Sequence, residues 1–347
     1  MSYNVRISTT DETFEVKDGE SILEAAMRVG VPMAHECTFG GCATCRVKLE
    51  EGAVEYTDFP MALTEEEHEL GYALACQARP CGDLVVTPAR GAVMLPDPVQ
   101  AEAEVLERTP LTNEITYLSL KIDDEVDVDF LPGQHLHINY SERAERSFSM
   151  VSAFAFGNMV DLYVKRIPKG WFTNEVLDSL QSGDKLQVSL PHGEFYYREE
   201  DWRPMVFVAT GTGIAPVRSV LESLLDDDDC PPVSLYWGMR TEKDLFLQEE
   251  LESWAERLCE FQYQPVLSRP SEQWEGRRGY VQEALKEDLT DVSELSFYLC
   301  GSPEMISDVR KLLIQKGADP DYIYSDSFTY AAIEEETVQK KPAVGAA

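Results

Sequence analysis

The 347-residue chain lacks any apolar run long enough to cross a bilayer. Its N-terminus, MSYNVRISTTDETFEV, contains no basic patch followed by an apolar core, so we expect neither a secretory signal nor a membrane anchor. A cytoplasmic location without a membrane partner is therefore expected. Thiols stay reduced in the cytoplasm, so the 8 cysteines are interpreted as metal ligands, redox groups or buried side chains before disulfides.

Basic residues are also scarce, with 30 Lys and Arg against 63 Asp and Glu and a net charge of -33. Such a charge repels nucleic acid and anionic membranes, whereas it suits a basic protein partner or simple solubility. A solvated acidic surface explains most of these carboxylates, including the run from Asp226 to Asp229. We therefore expect no nucleic-acid partner, and no charge run marks a site.

The length predicts two or three domains, and the chain divides into three blocks. The first, residues 1–92, begins with the strand-like runs YNVRIS and TFEV. Ser21 and Glu24 then form a capping-box pattern for a helix, ILEAAMRV, which Gly30 would end. A polar helix is predicted around Thr64 to Leu70. The block is typical of a small mixed sheet with helix, an α+β module.

Prolines and a lack of periodicity predict a linker at 93–101. Residues 102–202 contain short strand-like runs separated by turn signals, which indicates an antiparallel barrel or sandwich. Residues 203–330 alternate buried-type strands with helical stretches, as in an open parallel α/β sheet. The polar tail at 331–347 is expected to be disordered.

Three cysteines crowd into the stretch HECTFGGCATCRV. Cys37, Cys42 and Cys45, with the distant Cys76, give the C-x4-C-x2-C…C spacing of plant-type [2Fe-2S] sites. Such a cluster needs four converging thiolates and many backbone N–H donors, which a loop with Gly40 and Gly41 can supply. Zinc is disfavoured because zinc sites use paired C-x2-C units. The cysteines without ligand spacing are predicted to be packing residues: Cys81, Cys230 and Cys259.

The second block carries the run RSFS at 146–149, in which alternate residues point to opposite faces of a strand. Taken alone, this is the pattern of any half-exposed strand. FLPGQ precedes it, and KGWFT follows it with a glycine turn that leads towards a helix start near Thr173. The N–H groups and hydroxyl at a helix N-terminus are suited to a pyrophosphate.

The third block has GTGIAP between a strand and a helix, where Gly211 and Gly213 allow close approach of a dinucleotide phosphate. An ordinary tight turn would look similar. YLCGSPEM follows later with Cys300 and Gly301. Both motifs end candidate parallel strands, where open sheets bind ligands.

Taken in order, C-x4-C-x2-C…C, RSFS, KGWFT, GTGIAP, CGSP and the aromatic of YSDSF resemble the three-domain iron-sulfur flavoprotein reductases of bacterial aromatic-ring oxygenases. The benzoate dioxygenase reductase and phenol hydroxylase reductase type, within the ferredoxin-NADP reductase superfamily, is similar in layout from about Tyr3 to Phe328. The resemblance implies a plant-type ferredoxin domain (β-grasp), an antiparallel FAD-binding β-barrel and a C-terminal nucleotide-binding parallel α/β sheet.

The resemblance also implies roles for individual residues. Cys37, Cys42, Cys45 and Cys76 would ligate the [2Fe-2S] cluster. In the flavin site, Arg146 would face the pyrophosphate, Phe148 would pack on the isoalloxazine, Ser149 would bond near flavin N5, and the phosphates would be held by Thr173, Gly170 and Lys165. The nicotinamide dinucleotide would be cradled by Gly211, Thr212, Gly213 and Pro216, with Cys300 and Gly301 near its ring. Asp326 and Phe328 would close over the flavin, so that Ser149, Cys300 and Phe328 lie nearest the reaction.

Two positions depart from the family pattern, because Phe148 stands where Tyr is usual and Ala43 where Gly is frequent. FAD is favoured over FMN by the resemblance alone. Arg240, which follows a strand, is offset in sequence by Glu242 and Asp244, so no cluster of positive charge for a 2′-phosphate is evident. The sequence therefore favours NADH.

The implied function is an electron-transfer reductase that passes hydride from NADH to FAD and single electrons through the cluster to an oxygenase component. A reductase of a di-iron aromatic monooxygenase, rather than of a Rieske dioxygenase, remains open. So does a non-catalytic iron-sulfur redox sensor or carrier, although the intact RSFS, GTGIAP and CGSP motifs argue against it. The acidic first block would dock a basic patch on the partner, and a monomer is expected from the resemblance.

Overall fold

The computed structural model describes residues 2–90, 95–141, 144–168, 170 and 172–328. The tail predicted at 331–347 and the linker positions 93 and 94 lie outside the described residues. The described chain forms three large sheets and one two-stranded sheet. Within the described ranges, no helix has the length and apolar composition that crossing a membrane requires.

The first sheet is mixed, with strand order β2-β1-β7-β3-β5. Helix α1 forms as predicted: Ser21 accepts from the Glu24 amide, the Glu24 carboxylate accepts from the Ser21 amide, and Gly30 ends the helix with φ 76. The apolar face of α1 is buried against the sheet. The elements are β1 Tyr3–Ile7, β2 Thr13–Val16, α1 Ile22–Val29, β3 Arg46–Glu51, β4 Val54–Glu55, α2 Glu65–Glu69, β5 Tyr72–Leu74, β6 Arg79–Pro80 and β7 Leu84–Pro88.

The second sheet is antiparallel throughout, with order β11-β10-β13-β8-β9-β12. A bridge between Met150 and Leu162 joins its two ends, so the sheet is a nearly closed barrel. The prediction of an antiparallel barrel for this block is thereby confirmed. Its elements are β8 Val99–Pro110, β9 Ile115–Ile122, β10 His135–Ser141, β11 Ala144–Ser149, β12 Met159–Lys165, α3 Leu177–Ser179 and β13 Lys185–His192.

The third sheet is parallel throughout, with order β17-β16-β15-β14-β18-β19, which confirms the predicted α/β module. The central strands read as continuous apolar runs because helices cover both faces. The elements are β14 Met205–Thr210, α4 Ile214–Ser223, β15 Val233–Met239, α5 Gln248–Ser253, β16 Gln262–Leu267, β17 Arg277–Arg278, α6 Val281–Asp288, β18 Ser296–Gly301, α7 Pro303–Gln315 and β19 Ile323–Ser327.

Two details differ from the sequence expectations. Strand β8 begins at Val99, inside the predicted linker, while the predicted domain limits themselves stay predictions. Cys81 is exposed, so the prediction that it is a packing residue was wrong; Cys230 is buried and Cys259 partly buried. Cys81 follows the edge strand β6, where its backbone N–H bonds Ala53 and leaves the side chain in solvent.

Candidate functional site

The four cysteines of the predicted cluster site converge as two contacting pairs. Hydrogen bonds between thiols join Cys37 to Cys42 and Cys45 to Cys76. Each shared bond lowers the pKa of one thiol, Cys37 or Cys76, and raises the pKa of the other, Cys42 or Cys45. Two pairs of thiols suit two irons, each held by one pair.

The backbone of the cysteine loop supplies the donors that such a cluster needs. Gly41 N donates to Cys37 Sγ at 3.2 Å, and Cys76 N donates to Cys45 Sγ at 3.5 Å. Gly40 and Ala43 have φ of 83 and 61, so Ala43 adopts a conformation that favours glycine. A side chain at Gly41 would lie 2.3 Å from the Phe39 ring.

This donor set therefore fits a dinuclear iron-sulfur cluster, with one pair of thiols for each iron. Among the described His, Cys, Asp and Glu residues, no group of three or more is arranged to hold a single metal ion.

A cavity of about 430 Å³ gathers most of the predicted flavin residues. Strands β10 and β11 bring the RSFS run to its wall, and the Phe148 ring packs 5.3 Å from Phe172. Arg146 and Lys165 give this wall positive charge beside an aromatic surface, which suits a planar anionic ligand such as FAD. The predicted residues that line it are Cys37, Arg146, Phe148, Ser149, Lys165, Gly170, Thr173, Thr212, Asp326 and Phe328.

Thr173 lies in a hydrogen-bonded turn and not at the regular helix start that the sequence predicted. Residues Phe172–Val176 form a single π-helical turn before the short α3, instead of a regular helix start. The Thr173 hydroxyl accepts a 3.0 Å hydrogen bond from Ile167 N. Thr173 therefore fixes the turn that lines the cavity.

Two buried carboxyl groups face this cavity. Burial raises the pKa of Asp326 to about 7. Burial, and then the nearby Asp326, raise the pKa of Glu36 well above its ordinary value. Glu36 adjoins the predicted cluster ligand Cys37, and it accepts a hydrogen bond from Glu194 N. The space between the cysteine loop and the barrel thus contains two protonatable acids. Asp326 was predicted from the sequence, whereas Glu36 was not.

Sequence reasoning also missed a set of three histidines beside the cavity. His135 and His137 lie on one face of β10 with their Nε2 atoms 3.2 Å apart, and the His137 ring stacks 3.8 Å from that of His192. Burial lowers the pKa of His135 to about 3 and that of His192 to about 4. The alternation HLH, on the strand that precedes RSFS, was the signal that could have revealed them.

A second cavity of about 590 Å³ adjoins the first and contains Gly211, Thr212, Arg240, Gly301 and Phe328. It is bordered by the carboxyl ends of the parallel strands, where open sheets bind nucleotides. Lys165, Thr212 and Phe328 line both cavities, so the two spaces are neighbours. Ser268 and Tyr280 also line the second cavity, although neither belongs to a motif identified in the sequence.

Three predicted residues lie behind these walls. Gly213, Pro216 and Cys300 line neither cavity, and Cys300 is completely buried at the end of β18. Gly213 touches Cys300 so closely that a Cβ would lie 2.2 Å from the Cys300 carbonyl oxygen. Burial raises the pKa of the Cys300 thiol well above its ordinary value.

The charge of Arg240 is offset by a different carboxylate from those the sequence suggested. Arg240 pairs with Glu114 at 2.7 Å, across the gap between the barrel and the parallel sheet. Asp244 instead accepts from Thr241, and Glu242 accepts from Ser271. Asp244 caps its own turn and Glu242 holds Ser271, 29 positions further on, so the carboxylate bound to Arg240 is Glu114 and not either of the two that the sequence suggested.

Comparisons with known proteins match all three modules. The 2Fe-2S iron-sulfur cluster binding domain matches residues 5–81, the Oxidoreductase FAD-binding domain residues 102–197 and the Oxidoreductase NAD-binding domain residues 207–311. The electron transfer component of anthranilate 1,2-dioxygenase from Acinetobacter baylyi is 33% identical over 94% of this chain and 98% of its own length.

Two further relatives span almost the whole chain. The reductase component of phenol 2-monooxygenase from a Pseudomonas species is 32% identical over 96% of both chains. Among solved structures, the Amycolatopsis cytochrome P450 reductase superposes with a TM-score of 0.69 at 30% identity, covering 95% of this chain and 100% of the other.

Proposed function

This chain belongs to the three-domain iron-sulfur flavoprotein reductases, oxidoreductases that use NADH, FAD and a [2Fe-2S] cluster, and we propose that it is the electron-transfer component of a multicomponent oxygenase. One observation carries the proposal: the cluster ligand Cys37 and the flavin residues Phe148 and Ser149 line the same cavity. The two redox sites are therefore neighbours, and no further carrier is needed between them.

In this proposal the barrel side of the cavity binds FAD. Arg146 and Lys165 would hold the phosphates, Gly170 and the Thr173 turn would shape their seat, and the Phe148 ring would pack on the isoalloxazine. FAD held there would supply the conversion of two-electron hydride transfer from NADH into single-electron transfer, and Cys37, Cys42, Cys45 and Cys76 would hold the cluster that receives the electrons.

The remaining residues orient the reactants and exclude water. Ser149 offers a hydroxyl to the flavin edge, and Phe328 covers the boundary between the two cavities. Asp326 can hold a proton on its carboxyl near neutral pH, because burial raises its pKa to about 7. Cys300 would act indirectly, because its buried side chain would fix the end of β18 at Gly301.

The second cavity would take NADH. Gly211, Thr212 and Gly213 form the turn into α4, and Pro216 fixes the first turn of that helix. The Arg240 guanidinium is neutralised by Glu114, which supports NADH over a cofactor with an additional 2′-phosphate.

The partner would approach the acidic first module. Phe59 is 48% exposed, and its neighbour Pro60 contacts Gly40 of the cysteine loop, so an apolar side chain stands beside the cluster site. Exposed acidic residues surround this segment, including Asp58, Glu65 and Glu66. Long-range attraction to a basic oxygenase surface is screened by salt, so turnover with the partner should fall as ionic strength rises.

The proposal is tested by anaerobic stopped-flow mixing with NADH, following the absorbance of flavin and cluster. Wild type and Cys81→Ser, whose thiol is exposed and outside the ligand set, should show flavin bleaching followed by cluster reduction. Cys42→Ser should keep the first phase and lose the second. A flavin-loaded wild type that NADH does not bleach would refute the reductase function and leave a sensor or carrier.

Reconstitution with purified oxygenases would then define the partner class. NADH oxidation coupled to product formation by a Rieske dioxygenase, or instead by a di-iron monooxygenase, distinguishes the two alternatives. Turnover that stays flat or rises with salt would contradict electrostatic docking. Sedimentation of the loaded protein tests the expected monomer.

A further inference from the structure

Four arginines gather between the first module and the parallel sheet, although basic residues are scarce in this chain. Arg46 and Arg90 belong to the first module, Arg198 follows the barrel, and Arg310 lies on α7. Arg46, Arg198 and Arg310 are at most 5% exposed. We call these four residues the arginine cluster.

Direct contacts connect the arginine cluster across the interface. Arg46 Nη1 and Arg310 Nη2 both donate to Glu67 Oε1, at 2.8 and 2.5 Å. Arg90 Nη2 donates to the Ile323 carbonyl at 2.6 Å, and its guanidinium lies 4.3 Å from the centre of the Tyr324 ring. The Arg198 guanidinium lies 5.4 Å from the same ring centre. Side chains from all three modules therefore meet at one place.

The four guanidinium charges are only partly balanced. Glu194 and Asp201 also lie near Arg198, but burial raises the pKa of both carboxyl groups. The buried carboxylate of Glu67 is shared by two arginines, and Asp321, the other partner of Arg46, is 46% exposed. Within the described part of the chain, Arg310 Nη1 and Arg198 Nε have no hydrogen-bond partner. Since an uncompensated buried charge is costly, this interface is built for a further anion.

The cluster site supplies that anion. Ser325 Oγ donates to the Cys42 carbonyl at 2.7 Å, so β19 touches the cysteine loop. Arg46 directly follows the ligand Cys45, and Arg310 shares the Glu67 carboxylate with Arg46. An iron-sulfur cluster with four thiolates is negatively charged, and reduction adds one further negative charge.

We propose that the arginine cluster is the counter-charge of the iron-sulfur centre: it raises the reduction potential of the centre and binds the first module more tightly when the centre is reduced. Arg198 and Arg310 lie outside the first module, so separating the modules would remove their charge from the centre. Thermodynamic linkage is reciprocal. If docking of the first module favours reduction of the iron-sulfur centre, then reduction of the centre favours docking by the same free energy. The inference goes beyond the proposed function, but it rests on the cysteine ligands assigned there.

The test is an anaerobic potentiometric titration in which the cluster is followed by electron paramagnetic resonance and the flavin by absorbance. Arg310→Met removes the charge and keeps much of the apolar stem; it should make reduction of the cluster about tenfold less favourable, which corresponds to about 59 mV. Arg310→Lys should retain most of the potential. Arg257→Met, at an exposed arginine paired with Asp226, should not change it.

Glu67→Gln should shift the cluster potential in the direction opposite to that of Arg310→Met. Glutamine can still cap α2, but the lost negative charge should raise the cluster potential, whereas a merely structural role would move both variants the same way. If Arg310→Met does not fold, Arg90→Met replaces it with the same expected direction. Shifts of one sign in the arginine and Glu67 variants, or no shift in either, would overturn the proposal.

Two further outcomes separate the parts of the argument. A wild type without any cluster signal would refute the ligand assignment of the proposed function, and this inference with it. Small-angle scattering should give a radius of gyration for the reduced protein no larger than that of the oxidised protein. Expansion on reduction would overturn the docking part.

Discussion

Replacing Gly213 with alanine should weaken nucleotide binding and leave the predicted iron-sulfur site intact. The backbone of Gly213 is helical, with φ -60, so alanine meets no conformational strain there. The cause is steric: the new Cβ would lie 2.2 Å from the oxygen and 2.6 Å from the carbon of the Cys300 carbonyl, where ordinary contacts lie at 3.4–4 Å. One of the two backbones must shift by about 1 Å, and Cys300 is fully buried between β14 and β19.

Overpacking of this kind costs about 1–3 kcal/mol. If the shift falls on the Gly211–Gly213 turn, the Kd for NADH should rise about 5- to 100-fold, since about 1.4 kcal/mol corresponds to tenfold. The measurement is the NADH dependence of flavin bleaching in stopped flow. Iron content should remain that of the wild type, because the predicted cluster ligands lie in the first module. FAD content is measured as well, because Thr212 of the same turn also lines the flavin cavity.

The control is Gly82→Ala, at a glycine where an added Cβ would meet no atom within 4 Å and where φ is outside the left-handed region. Its Kd for NADH should equal that of the wild type. A folded, flavin-loaded Gly213→Ala variant with an unchanged Kd would refute the reasoning. It would mean either that the Gly211–Gly213 turn does not bind the nucleotide, or that the end of β18 moves instead and leaves the turn unchanged.

Three further predictions concern charge. Glu67→Ala should lower the free energy of unfolding by about 3–5 kcal/mol in a denaturant titration, because it leaves Arg310 buried without a carboxylate and Arg46 with only the half-exposed Asp321; a loss below about 1 kcal/mol would contradict this. Lowering the pH from 7 to 5 should cost about 2 kcal/mol at His135: its folded pKa is about 3, so below 6.5 only the unfolded chain gains this proton, and His135→Asn should flatten the dependence. Glu114→Gln should release Arg240 and raise kcat/KM for NADPH relative to NADH, by up to about tenfold for a charge pair; an unchanged ratio would separate Arg240 from cofactor choice.

Features that depend on neighbouring residues could be predicted from the sequence. The α1 capping box and its glycine end are local, and the cysteine spacing requires only one loop and a fourth ligand. The sheet types followed from whether apolar residues alternate or run continuously. Most of the predicted flavin residues line one cavity because RSFS sits on one strand and the turn at Gly170 lines the same cavity.

Features that depend on residues far apart in the sequence could not be predicted. Arg240 was judged against its sequence neighbours, although its partner Glu114 is 126 positions away. Arg310 and Glu67 are 243 positions apart, and neither belongs to a motif. Cys300 was placed near the nicotinamide by resemblance, whereas the packing of β18 between β14 and β19 puts it behind the wall. In each case the outcome depends on how separate modules pack.

The same packing explains how one small loop can serve two electron transfers. Cys37 faces the flavin cavity, and the carbonyl of Cys42 is held by Ser325 on the nucleotide-binding side. These two faces of the loop are occupied within the chain, while Phe59, beside the loop at Pro60, remains exposed. In the proposed function, electrons would enter the cluster through one side of the loop and leave through another. A docked first module is compatible with both transfers, so an interface that tightens on reduction would not prevent the partner from collecting the electron.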